Sequence, residues 1–113
     1  MSNDQKLITV TVRDGAAPGT YDVSFDPDRP TVRKKNTQMV YQFSDDTPAG
    51  IRFTGSSARP AGQMGPATVG NHGRSIAFNN ANSKKGKVDV QLDMEASVSF
   101  YALPEVVNDP QPE

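Results

Sequence analysis

The chain has no cysteine, and that absence removes disulfides, thiolate zinc sites and cysteine nucleophiles together. An excess of charge of either sign is lacking too. Twelve Lys and Arg stand against thirteen Asp and Glu, so no net field draws the whole molecule toward nucleic acid or an anionic membrane. No window is long and apolar enough for a spanning helix. The amino terminus, "MSNDQKLITVTV", lacks the positive start, apolar run and small-residue cleavage site of a secretory signal. A cytoplasmic location is the expectation, with an upstream signal trimmed from the chain as the open alternative.

What is present is period two. Ile8, Val10 and Val12 alternate with Thr9 and Thr11, and Tyr21, Val23 and Phe25 oppose Asp22, Ser24 and Asp26. Each such run predicts a half-buried strand. The same alternation marks Met39, Tyr41 and Phe43; Ile51 and Phe53; Ile76 and Phe78; Val88, Val90 and Leu92; and Val98 with Phe100. A weaker strand is expected around Val32. Turn-formers separate the runs, among them Asp14-Gly15, Pro18-Gly19, Asp26-Pro27, Pro48-Ala49-Gly50 and Lys85-Gly86. No stretch of ten or more residues is free of breakers and helically periodic.

With 113 residues there is room for one core. The expectation is an all-β domain over residues 6–104, an antiparallel Greek-key β-sandwich of seven or eight strands with cupredoxin-like or immunoglobulin-like topology. Residues 1–5 are read as an amino-terminal tail. Residues 105–113, rich in proline, are read as an irregular carboxyl-terminal tail. The glycine-rich stretch 55–74, "GSSARPAGQMGPATVGNHGR", is read as a long loop.

Residues 21–53, "YDVSFDPDRPTVRKKNTQMVYQFSDDTPAGIRF", resemble the start of a cupredoxin-like domain. Phe25 and Pro27 stand where that family ends a strand, the run 31–37 follows as its short connecting segment, and Tyr41 and Phe43 mark its aromatic strand. The resemblance implies a β-sandwich. It does not bring the copper with it, because a type I site needs two imidazoles and a thiolate, and this chain has one histidine and no cysteine. Ala49-Gly50 occupy the place of the first histidine ligand. The ending, through Asp109-Pro110 and Pro112-Glu113, resembles the DP-EP family, which implies a compact bacterial domain of uncharacterised activity.

Three constellations bear on function. The carboxylates Asp26, Asp28, Asp45 and Asp46 lie on two turns that an antiparallel sandwich could bring to one end, where hard oxygens with or without His72 would suit a calcium-like ion. As a base, His72 would need an orienting carboxylate and a nucleophile. The basic run "RPTVRKK" could meet phosphates with Tyr41 or Phe43 stacking on bases, but period two turns both aromatics inward, which argues against nucleic acid.

The reading best supported is a non-enzymatic binding or assembly module without a cofactor, acting on a protein partner or on itself. Its contacts are assigned to Arg33, Lys34, Lys35, Arg59, His72 and Arg74. Residues 88–113 carry six acids and no Lys or Arg, so strand 98–103 is expected to lie against the basic segment 32–35 of a neighbouring copy. The alternative is a divalent-metal or catalytic site at the aspartate turns.

Overall fold

A computed structural model describes residues 5–59 and 61–110. Residues 1–4 of the tail expected at 1–5, and the Pro112-Glu113 motif, lie outside the described residues, and Gln5 belongs to the first strand rather than to a tail.

Among the described residues ten strands form, eight where strands were expected, the weaker one around Val32 included, and two in further places. They are β1 (Gln5–Asp14), β2 (Tyr21–Asp26), β3 (Thr31–Val32), β4 (Thr37–Phe43), β5 (Arg52–Arg59), β6 (Thr68–Gly70), β7 (Ser75–Asn80), β8 (Gly86–Glu95), β9 (Ser99–Ala102) and β10 (Glu105–Asn108). Two single 3-10 turns, Ala61–Gln63 and Asn71–Gly73, are the helical content of the described residues. No helix among them is long and apolar enough to cross a membrane.

One sheet has the order β2-β1-β4-β7-β6 and the other β3-β10-β8-β5, with β9 also on β8. Both sheets are mixed, which corrects the purely antiparallel expectation of seven or eight strands: β1 runs parallel to β4, and β10 parallel to β3. Period two is the same for parallel and antiparallel neighbours, so the alternation cannot reveal strand direction.

The apolar set of the alternation becomes one buried cluster drawn from both sheets. Ile8, Val10, Met39, Tyr41 and Ile76 of the first sheet meet Phe53, Val88, Val90, Leu92 and Met94 of the second. Phe43 and Phe53 stack across it with ring centroids 4.0 Å apart, and Tyr21 stacks on Phe100 at 4.4 Å. Each large side chain so buried contributes roughly 1.5–3 kcal/mol before chain entropy is subtracted.

The expected irregular tail is wrong at residues 105–108. There β10 inserts between β8 and β3, pairing Val106 with Val88 and Val107 with Thr31. Pro104 and Pro110 bracket this strand rather than interrupt it, and the Pro104 carbonyl accepts a hydrogen bond from the Val90 amide at 2.9 Å. Strand β5 likewise runs to Arg59 and β6 occupies Thr68–Gly70, so the expected loop at 55–74 is two strand segments around a shorter excursion.

Polar groups close both ends. At one end the Asn80 and Asn108 amides bond each other, at 2.7 and 3.1 Å. Asn82 donates through its side chain to the carbonyls of Val32 and Lys34. Asn82 takes a positive φ of 49°, which Asn tolerates better than most residues, and so turns its amide onto the β3–β4 connection. At the other end Thr47 is buried, its hydroxyl accepting from the Val12 amide at 2.9 Å, which fastens the connection 44–51 to β1.

Candidate functional site

The outer face of the second sheet has a gap. Strand β9 pairs with Leu92–Glu95 of β8 and β10 with Gly86–Asp89, so Val90 and Gln91 fall between the two pairings while the chain steps across at Leu103-Pro104. The result is a depression of about 520 Å³ lined by Ser57, Arg59, Asp89, Gln91, Tyr101 and Glu105, among others. Alternation along each strand decides this lining: Phe100 packs inward on Tyr21, so Tyr101 points out and is 60% exposed, and Leu103 is 62% exposed. Register brings Arg59 of β5 opposite Asp89 of β8, and Asp89 opposite Glu105 of β10.

The charges of this surface are partly matched. Lys87 lies 3.7 Å from Asp89 and 3.4 Å from Glu105, and Arg29 lies 3.7 Å from Glu105. These exposed pairs fix side chains more than they stabilise the fold. Gln91 donates to Asp93 at 2.8 Å. The surface therefore presents an amide, a guanidinium, carboxylates and a hydroxyl around one open aromatic ring.

The residues named from sequence are scattered over the molecule. Arg59 belongs to the depression just described. Arg33 and Lys34 line a smaller one of about 280 Å³ with Gln5, Lys6, Thr31 and Thr37, and Lys35 is exposed beside them. His72 is exposed in the 3-10 turn at φ 55°, beside an open hollow it shares with Arg52, Thr54 and Val69.

Arg74 is engaged within the chain. Its guanidinium donates to the carbonyls of Pro48, Ile51 and Thr47 at 2.9, 2.7 and 3.0 Å and lies 4.9 Å from the centre of the Phe43 ring. It clamps the connection 44–51 onto β4 and β7.

The aspartates do not converge. Strand β1 is antiparallel to β2 but parallel to β4. The chain therefore leaves β2 toward the amino-terminal end of β1, and leaves β4 toward its carboxyl-terminal end. Asp26 pairs with Thr9 and Asp28 continues away, whereas Asp45 and Asp46 follow Ser44, which bonds to Val10. Among the described residues no group of three His, Asp or Glu side chains could hold a metal ion.

Charge complementarity between the acidic carboxyl-terminal part and the basic segment is met inside the chain. Arg33 bonds Asp109 at 3.2 Å, and β10 rather than strand 98–103 lies beside β3. A neighbouring copy is not needed to satisfy it.

Sequence reasoning read the stretches 55–74 and 98–103 as candidate contact segments but singled out none of Ser57, Gln91, Tyr101 and Leu103. A signal existed for one of them, since counting Val98 and Phe100 as inward leaves Tyr101 outward. The gap that makes these residues a surface depends on β9 and β10 sharing one side of β8, which no local pattern encodes.

The family model of the DP-EP family matches residues 4–111, nearly the whole chain, and the chain belongs to that family. No curated protein matches it.

Proposed function

We propose that this member of the DP-EP family is a non-enzymatic binding module. It takes an extended, hydroxyl-rich ligand such as an oligosaccharide on the outer face of β5, β8 and β9. The scaffold is read as a cupredoxin-like sandwich put to use without copper. Fold alone does not fix the role, so the reading rests on the site.

The observation that carries it is the open Tyr101 ring beside the 520 Å³ depression lined by Ser57, Arg59, Asp89 and Gln91. A sugar ring offers an apolar C–H face to an aromatic and pairs of hydroxyls to planar polar groups. The arrangement supplies both, with donors at Arg59 and Gln91 and acceptors at Asp89 and Glu105. A binding role is favoured over a catalytic one because His72 lies on a different surface from the carboxylates of the depression.

The test is a thermal-shift and NMR titration against soluble oligosaccharides. A ligand of the native state raises the melting temperature and should perturb the amides of Gln91 and Tyr101. Tyr101→Ala should weaken binding about tenfold or more, as removal of a central aromatic anchor does. If no oligosaccharide shifts the protein, or Tyr101→Ala binds as well as the native chain, the reading fails.

A further inference from the structure

The end of the fold closed by Asn80, Asn82 and Asn108 is basic, because two loops far apart in sequence meet there. The connection 33–36 carries Arg33, Lys34 and Lys35, and the connection 81–85 carries Lys84 and Lys85. Backbone and side-chain bonds fasten the two together: the Asn36 amide donates to the Ala81 carbonyl at 3.2 Å, and the Asn82 side chain donates to the carbonyls of Val32 and Lys34 at 3.0 and 3.2 Å. Lys6 joins them, since it lines the same depression as Arg33 and Lys34.

Two of the acids toward this end are taken up, whereas Asp26 and Asp28, which leave β2 in the same direction, form no ion pair among the described residues. Glu105 faces Arg29 and Lys87, and Asp109 faces Arg33. Lys35, Lys84 and Lys85 are exposed and form no ion pair among the described residues. A chain with a net charge of −1 thus has a positive end and a remainder that is net acidic. That separation orients the molecule toward an anion even though its total charge attracts none.

We propose that this end is a second interaction surface, separate from the depression beside Tyr101, and that it binds the phosphate backbone of nucleic acid without reading sequence. Lysines on two loops suit a charge repeated along a chain, and separate ammonium groups follow such a charge without demanding the fixed fork geometry that arginine imposes. Asn36, Gln38 and Ser83 are exposed beside them and add neutral donors of the kind that contact phosphate oxygens. Bases find no platform here, because Tyr41 and Phe43 are buried in the core. An anionic membrane is a poorer fit, since neither loop carries an apolar side chain larger than that of Ala81 to enter the headgroup layer.

The experiment is fluorescence anisotropy of the intact chain with a labelled single-stranded oligonucleotide of mixed sequence, across a salt series. Binding should appear at low salt and be indifferent to base sequence. Its log–log salt slope should be about −3, as for about four neutralised phosphates on a single strand. The paired change Lys84→Glu with Lys85→Glu should weaken binding at least tenfold, and Lys84→Arg with Lys85→Arg should preserve it. Three results would overturn the proposal: no anisotropy change at low salt, undiminished binding by the glutamate variant, or binding to anionic phospholipid vesicles without binding to the oligonucleotide.

Discussion

Asn80 and Asn108 exchange two hydrogen bonds amide to amide in the interior, each side chain fully buried. The pair ties β7 of one sheet to β10 of the other. The Asn80 oxygen also accepts from the Asn82 amide at 3.0 Å, so the pair sets the turn that leads into the β7–β8 connection. Asn108→Ala would leave the buried Asn80 NH2 group with the Met39 sulfur at 3.9 Å in place of an oxygen acceptor, at a cost of about 1–3 kcal/mol for a poorly satisfied buried donor.

That cost is measurable by denaturant unfolding. Each single alanine variant should lose about 2–4 kcal/mol, and the double variant should lose clearly less than the sum. Strict additivity would mean that the two amides do not act as a unit.

Arg74 supports a second prediction. Three carbonyls and one aromatic face receive its planar guanidinium, a geometry that lysine cannot reproduce. Arg74→Lys should therefore behave like Arg74→Ala, each losing about 2 kcal/mol of stability, readable as a fall of several degrees in melting temperature. Full rescue by lysine would show that only the charge matters.

Tyr41 gives a pH dependence. Burial raises its phenol well above the ordinary value of 10.0, and its hydroxyl finds no hydrogen-bond partner among the described residues. The folded chain holds a proton there that the unfolded chain releases. The stabilisation is complete below the ordinary phenol value and is lost as the pH rises from that value toward the raised one. Tyr41→Phe should remove this alkaline loss and add about 1 kcal/mol at neutral pH. Unfolding curves of the two proteins that stay parallel between pH 9 and 11 would contradict it.

The aspartate turns predict an absence of calcium linkage. With Asp26 and Asp28 led away from Asp45 and Asp46 by the β1 pairings, millimolar calcium should leave the melting temperature unchanged. Asp26→Asn and Asp46→Asn should respond as the native chain does. A calcium-dependent rise abolished by either change would restore a shared site.

Much of the core was legible because burial follows local alternation: Ile8, Val10, Met39, Tyr41, Phe53 and Leu92 are all inside. Partners were not legible. The sequence marks a weak strand at Val32 and none at Val106; the first is completed by β10 and the second by β8 together with β3. Proline content made residues 105–113 read as irregular, although Pro104 and Pro110 stand just outside the strand, where a missing amide hydrogen costs no ladder bond. For the candidate surfaces the difficulty is the same. Arg59 could be named from sequence, but its neighbours Gln91 and Tyr101 are set by register. Arg33, Lys34 and Lys35 could be named as a run, but Lys84 and Lys85 join them through bonds of Asn82 and Asn36 that no local pattern shows.

The insertion of β10 between β8 and β3 also governs the order in which the protein can assemble. Among the described residues strand β3 has β10 as its one neighbour in the sheet, and Thr31 must wait for Val107. A nascent chain emerging from the ribosome can pair β1 with β2 and β4 early, yet its second sheet stays open at β8 until residues 105–108 are free. Closure over so long a loop is slow, and the exposed β8 edge is meanwhile open to other chains. Completion of the second sheet thus waits for residues 105–108, and a chain stopped short of residue 105 would leave the Gly86–Asp89 edge of β8 unpaired.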